Sequence, residues 1–443
     1  MPELLVRRVG EMPRFATNGR VIRVTGLVVE VAGLDLGLGE ICQLSSFTDG
    51  RTVLAEVCGF DSDRLLLMSL GELDGIHPGA MVTPLGRSFG IEVGPELLGR
   101  VLNGLGQPID GGPKLRNTER VSLTSEPPNP LQRQMINEPL ETGVRAIDGL
   151  LTIGRGQRVG IFAGSGVGKS TLLGMIARQA KSDVNVIALL GERGREVREF
   201  LEHSLGPEGL ARSVVVVATG DQAALVRARG ALVATAIAEY FRDQGKQVTL
   251  MIDSVTRVAM AWREIGLAVG EPPTTKGYPP SVFANLPRLL ERAGNGATGG
   301  ITGLYTVLVD GDDFNEPVAD AARSILDGHI VLTRKLASAG HYPSIDILDS
   351  KSRVKDLVTD VPHQAAARSV LRTEAAYREK EDLIMVGAYQ RGSDPHVDAA
   401  IQFREPMVSY LQQAPTEHST LEQTTNDLLA LGGAIDTSTA RPS

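Results

Sequence analysis

The residues whose types and spacing could do chemistry begin at Ala163-Gly164-Ser165-Gly166-Val167-Gly168-Lys169-Ser170-Thr171. An apolar β-type run ends at Ala163 and a helical pattern opens at Lys169, the setting that a phosphate-binding loop requires. Glycines let successive backbone N–H groups turn into one concave nest, and a helix N-terminus adds a dipole that favours anions. In that frame Gly164, Ser165, Gly166, Val167 and Gly168 cradle phosphates, with Thr171 beside them in the first helical turn. Lys169 reaches the β- and γ-phosphates, and the Ser170 hydroxyl ligates Mg2+. The usual pattern opens on Gly; Ala163 is small enough to close the same turn. A chance Gly-rich turn is disfavoured by the flanking strand and helix. The Lys169 side chain is expected to be solvated at its ligand.

Two carboxylates complete a phosphoryl-transfer set. Gln247–Ile252 is an apolar strand that delivers Asp253 at its carboxyl end, where a Mg2+-holding carboxylate belongs. Strands ending in Asp are common as helix caps, so the feature gains weight only beside the loop. Gly191-Glu192-Arg193-Gly194-Arg195-Glu196 also lies just past a strand. Glu192 is the candidate base or water-positioning group, and Arg193 could stabilise phosphate or carboxylate. The plainer reading of this run is a charged helix start, with acids favoured at its N-terminus.

These residues need a scaffold, and the chain divides by texture. At 443 residues it is too long for one core, so two or three domains are expected. Residues 20–86 carry short β-type runs (Val21–Val24, Leu27–Val31, Val53–Val57, Leu65–Met68) and read as a small antiparallel barrel. The Pro- and Gly-rich stretch 108–139 reads as an irregular connector. From Gly156 the strands Arg158–Ala163, Val184–Leu190, Ser213–Ala218, Gln247–Ile252, Thr302–Leu308 and His329–Leu332 alternate with helical patterns such as Ala223–Arg242 and Val255–Ala268. That alternation predicts an α/β core with a mostly parallel sheet, its ligand beyond the carboxyl ends of the strands. After Lys355 the apolar spacing is helical (Ala365–Tyr377, Ala399–Leu411, Leu421–Leu431), and the tail past Leu431 is expected to be disordered. The expected divisions are a basic arm at 1–19, a barrel at 20–86, an ATPase domain at 87–355 and a helical domain at 356–443.

Composition narrows the class. With 42% apolar and 22% charged residues this reads as a soluble globular chain, and no apolar run is long enough to span a bilayer. A net charge of −8 argues against a nucleic-acid coat. Cys42 and Cys58, in apolar strand-like surroundings, read as reduced buried thiols of a cytoplasmic protein, and no Cys/His spacing suggests zinc. Arg7, Arg8, Arg14, Arg20 and Arg23 make residues 1–25 basic, either as a solvated arm or as a docking segment for an acidic partner or membrane surface.

The order of barrel, phosphate-loop core and helical C-terminus resembles the catalytic subunits of rotary ATPases. Within them the chain is most similar to the type III secretion ATPases, and especially the flagellar protein-export ATPases. The stretches that carry this are Gly154–Arg158, Gly191–Glu199, Ile237–Asp243, Asp253-Ser254-Val255-Thr256-Arg257, Gly270–Pro273, Gly277–Phe283, Ile325–Leu332 and Gly340–Asp346. The resemblance implies a core like that of RecA, with ATP and Mg2+ as cofactors. It makes Lys169 and Ser170 the loop lysine and metal ligand, Glu192 the catalytic carboxylate and Asp253 the outer Mg2+ ligand. It places Arg193 and Arg257 around the γ-phosphate, and Tyr342 against the adenine. Arg353 matches an arginine finger that reaches a neighbouring subunit's nucleotide, which requires a ring; the family implies a homohexamer. It also implies partners: a stator-like regulator at the N-terminal arm, a central-stalk-like coiled coil, export-gate membrane proteins, and substrates with their chaperones. The implied location is the cytoplasm, peripheral to the inner membrane.

Alternatives remain. Val309–Pro317 looks more flagellar than injectisome. An ATP synthase or vacuolar-type catalytic subunit is disfavoured because Glu379-Lys380-Glu381-Asp382 poorly replaces their acidic C-terminal segment. Glu192 itself disfavours a non-catalytic subunit. An RNA translocase of the transcription-termination type would need stacking aromatics in the barrel, and only Phe15, Phe47 and Phe60 are on offer.

Overall fold

The computed structural model describes residues 17–46, 50–309 and 316–439. Most of the basic arm, together with Phe15, Phe47 and the centre of the Val309–Pro317 stretch, lies outside the described residues. Six strands close into a barrel: β1 (Gly19–Thr25), β2 (Val28–Ala32), β3 (Glu40–Ser45), β4 (Thr52–Asp61), β5 (Arg64–Ser69) and β6 (Met81–Ser88), in the order β1-β2-β5-β4-β3-β6. Alternate residues turn inward, and Val29, Val31, Leu44, Val57, Leu67 and Val82 fill the centre. Sequence reading foresaw β1, β2, β4 and β5 but not β3 or β6. The reason lies in β6: Pro84 cannot donate to a ladder, and it sits where the β3–β6 register slips between Glu40 and Cys42. Cys42 is buried, whereas Cys58 on β4 is only half-buried. Burial pushes both thiols up to about 11, so they stay protonated.

The stretch beyond the barrel is not wholly irregular. β7 (Gly90–Val93) pairs antiparallel with β9 (Glu119–Ser122), and β8 (Val101–Asn103) joins the central sheet. That sheet contains β10 (Arg158–Ala163), β11 (Val184–Leu190), β12 (Ser213–Ala218), β13 (Gln247–Asp253), β15 (Gly300–Leu308), β16 (Gly328–Leu332) and β17 (Ile345–Ser352), in the order β17-β16-β10-β15-β13-β11-β12-β8. The ladder is parallel from β16 to β8; β17 runs antiparallel to β16, and the two-residue β14 (Gly294–Asn295) runs antiparallel to β15. β11 and β12 are buried at every residue, as strands covered on both faces must be. The edges escaped sequence reading because β8 is three residues long and β17 carries Asp346, Asp349 and Lys351.

Helices Ala224–Asp243, Val255–Ala268 and Pro280–Leu290 cover one face. The other shares its core with Lys169–Gln179 and the C-terminal helices Val361–Met385, Arg404–Leu411 and Leu421–Thr439, against which Pro395–Gln402 packs. The expected helix over Ala399–Leu411 is two helices joined at Phe403. The expected disorder after Leu431 is also corrected: the last helix continues through the Gly432-Gly433 pair to Thr439. Gly432 is the reason. A Cβ there would stand 2.7 Å from the Cα of Ala366, so only glycine lets this helix lie against Val361–Met385. Ile435 is then buried, and Asp436 accepts a hydrogen bond from Ser369 at 2.6 Å.

Neighbouring glycines therefore predict opposite signs. Gly432→Ala should destabilise by about 1–3 kcal/mol through overpacking against backbone. Gly433 has nothing within 4 Å of its Cβ position, so Gly433→Ala should stabilise by roughly 0.4–1 kcal/mol. Denaturant titration followed by helical signal checks both; equal shifts for the two would refute the close contact.

Candidate active site

Three parallel strands converge on one point. β10 ends at Ala163 and opens the loop; β13 delivers Asp253; β11, next to β13, opens the turn bearing Glu192. Gly168 has φ 88°, a left-handed conformation that only glycine adopts cheaply, and it hands the chain to the helix Lys169–Gln179. Gly191, with φ 73°, does the same before Glu192. A Cβ on Gly191 would come within 2.9 Å of the Arg257 side chain, so that arginine's aliphatic stem lies along the turn. The turn is pinned by bonds from Gly191 N to Ala218 O at 2.7 Å and from Gly220 N to Glu192 O at 3.1 Å.

Lys169 Nζ sits between the two carboxylates. It donates to Glu192 Oε1 at 3.3 Å and contacts Asp253 Oδ1 more closely. Burial would push this ammonium down, but Asp253 and Glu192 outweigh it and hold the lysine above its ordinary value. The expectation of a solvated Lys169 is thus corrected: only 13% of its side chain is exposed. Thr306 on β15 donates to Asp253 Oδ1 at 2.7 Å and fixes that carboxyl from the neighbouring strand. Ser170, Glu192, Glu196 and Asp253 line one small cleft, an all-oxygen donor set.

Tyr342 is half exposed, and its ring lies 3.5 Å from where a Cβ on Gly168 would stand. Ser344 Oγ donates to Val167 O at 2.6 Å, which ties this segment to the loop. Arg257 lies against the Gly191 turn, and its Nε is buried without a hydrogen-bond partner. Arg193 is 81% exposed and faces Glu196 at 3.6 Å. Arg353 stands apart. β17 runs antiparallel to β16, with Ile345 opposite Leu332 and Ser352 opposite Gly328, while Leu332 lies level with Ala163. Arg353 therefore lies at the far end of the sheet from its own loop, about 13 Å away at about 3.3 Å per residue. Sequence reasoning missed Thr306, which looks like an ordinary strand threonine, and passed over Ser344 although it stands in the quoted Gly340–Asp346 stretch.

Removing the lysine strands a buried carboxylate, Asp253, and a mostly buried one, Glu192. Lys169→Ala should abolish hydrolysis and also lower stability by about 1–3 kcal/mol. Because the folded pKa is raised, that contribution is full below the ordinary lysine value of 10.5 and is lost only as pH climbs through the higher folded value. Unfolding of parent and variant across neutral to alkaline pH checks it; an unchanged midpoint at neutral pH would contradict the pairing.

Comparison with known proteins bears on the same residues. Residues 143–352 match the nucleotide-binding domain of the ATP synthase alpha/beta family, residues 21–86 its beta-barrel domain, and residues 359–430 the T3SS EscN ATPase C-terminal domain. The flagellum-specific ATP synthase of Bacillus subtilis is 53% identical over 95% of this chain and 96% of its own length. The type 3 secretion system ATPase of Xanthomonas euvesicatoria is 51% identical over 93% of each. The assembled ATPase EscN of the enteropathogenic E. coli type III secretion system superposes with a TM-score of 0.89 at 47% identity, covering 94% of this chain and all of that one. A family match over the loop, both carboxylates and the helical C-terminus together leaves one assignment: the chain belongs to the ATPase family of flagellar and type III protein secretion.

Proposed function

We propose that the chain hydrolyses MgATP at the Lys169–Glu192–Asp253 cluster and that this drives protein export through a flagellar apparatus. The observation that carries the reading is a charged lysine held between two carboxylates at the end of a glycine-rich loop. Backbone N–H groups of Gly164–Gly168 and the Lys169 ammonium hold the β- and γ-phosphates, and Arg193 and Arg257 add positive charge around the transferred group. Glu192 orients the attacking water and accepts its proton. The Ser170 hydroxyl and the Asp253 carboxylate suit Mg2+, a hard cation that takes few protein oxygens and completes its shell with phosphate and water. When bound there it neutralises charge on the β- and γ-oxygens. Thr171 and Tyr342 contact the nucleotide, Tyr342 through the base.

Arg353 supports a ring. It cannot serve its own loop from the far end of the sheet, but in a head-to-tail arrangement it would meet a neighbour's site. A homohexamer is the assembly we infer, divided as arm 1–19, barrel 20–86, ATPase domain 87–355 and helices 356–443. EscN has also been solved with its central stalk EscO, at 46% identity and a TM-score of 0.86 to this chain. A stalk-like coiled coil in the ring, a stator-like regulator on the arm, and export-gate proteins, substrates and chaperones at the cytoplasmic face of the inner membrane complete the proposed setting. Among the described residues no helix is long and apolar enough to cross a membrane. An injectisome is the second reading, favoured by the 51% identity to the Xanthomonas protein. A deletion strain that loses its filaments supports the first; one that keeps them and stops secreting effectors supports the second.

Two variants test the chemistry. Glu192→Gln should bind MgATP normally and turn over at least about 100-fold more slowly. Arg353→Ala should bind nucleotide normally yet lose about 10³–10⁵ in turnover, together with any rise of specific activity with protein concentration. Activity and light scattering measured over one dilution series check this. Concentration-independent activity from a parental monomer would remove the case for a ring.

A further inference from the structure

Tyr342 is positioned from two sides, and only one of them belongs to the nucleotide domain. Its neighbour Ser344 holds the loop through Val167. From the other side Gln413, in the turn after the helix Arg404–Leu411, donates its backbone N–H to Tyr342 O at 2.9 Å. The Gln413 side chain is 3% exposed and fully engaged: Oε1 accepts from Arg145 N at 2.9 Å, and Nε2 donates to Gly143 O at 2.7 Å and to Glu417 O at 3.0 Å. The loop it grips is itself rigid, since buried Asp148 accepts bonds from Thr142 N, Thr142 Oγ1 and Gly143 N. The same C-terminal turn reaches the far end of the loop helix, where Gln179 Nε2 donates to Glu417 O at 2.9 Å and Arg178 donates to Pro415 O at 2.6 Å.

We infer that Gln413 is a positioning residue for nucleotide binding: it fixes the backbone of Tyr342, and so sets how the nucleobase is held, from within the C-terminal helical domain. The inference rests on the proposed stacking of Tyr342 on the base. A buried side chain that satisfies three partners on two segments locks the turn in one place, and losing it leaves buried polar groups unpaired. With the turn unlocked, Tyr342 keeps its side chain but loses its fixed stance over Gly168. Only contacts to the base should then weaken, because the phosphate nest has its own bonds. The helical domain thus acts on affinity for the nucleoside part of the substrate rather than on the phosphoryl chemistry.

The test compares MgATP with magnesium tripolyphosphate, which lacks base and sugar, by calorimetric titration of the full chain. Gln413→Ala should raise the Kd and KM for ATP about tenfold while kcat and the tripolyphosphate Kd stay within about twofold. Gln413→Met, which keeps the buried volume without the hydrogen bonds, should show the same selective loss and serves if the alanine variant fails to fold. Equal weakening of both ligands, or unchanged ATP affinity, would overturn the inference. Tyr342→Ala separates the two readings. If it lowers the preference for ATP and the Gln413 variants do not, only the role of Gln413 falls; if it leaves that preference unchanged, stacking fails and the inference with it.

Discussion

The structure turns on one ammonium group. Lys169 has to stay charged in a site that excludes most water, and burial alone works against that. Asp253 and Glu192 reverse the balance, and each stands where it does because a different buried strand ends there. The order β10-β15-β13-β11 sets the spacing: the loop strand and the two carboxylate strands leave room for β15, whose Thr306 braces Asp253. Apolar strands sealed on both faces are what hold these ends in place, so the extent of the hydrophobic core is itself a condition of the chemistry proposed for them.

Around that point the remaining parts are joined by ion pairs and buried hydrogen bonds as well as by apolar packing. The barrel is fastened to the core through Arg229, on the helix Ala224–Asp243, and Glu56 on β4. Burial pushes Arg229 down to about 10, and it stays charged at neutral pH with Glu56 beside it. Within the core Arg292 makes a two-pronged pair with Glu239, at 2.9 and 2.6 Å, and donates to Leu123 O. Such pairs contribute little net stability compared with apolar isosteres, but breaking one partner is costly, so they fix orientation more than they add strength. The C-terminal helices are held by Arg145, which donates to Tyr410 O at 2.9 Å and pairs with Glu417.

Much of this was legible in the sequence because it was local. The strands Arg158–Ala163, Val184–Leu190 and Ser213–Ala218 were readable to the residue, since fully buried strands are continuous apolar runs flanked by glycine or polar breaks. The loop declares itself through glycine spacing, and Asp253 and Glu192 through their places after strands. What was hidden depends on contact between distant segments. Strand β17 carries too many charges to look like a strand and exists because β16 offers an edge. Residues 432–439 look like a frayed tail until Ala366 is known to lie against Gly432. Thr306, Ser344 and Gln413 have side chains that could cap, turn or face solvent anywhere; only the fold shows what they hold. The solvated lysine failed for the same reason: its isolation from water comes from strands remote in sequence.

The β16–β17 hairpin has a geometric consequence. Its two antiparallel strands are tied at both ends, Ile345 opposite Leu332 and Ser352 opposite Gly328, around a register shift between His329 and Val331, and so form one bar. One end meets the chain's own loop through Ser344; the other carries Arg353. A tilt of the bar that follows a change at the loop is delivered to the arginine at its other end, about 13 Å along β16 at about 3.3 Å per residue. In a closed ring each subunit's bar would span from its own site towards the next, so the sites could be geared to one another with no dedicated messenger segment.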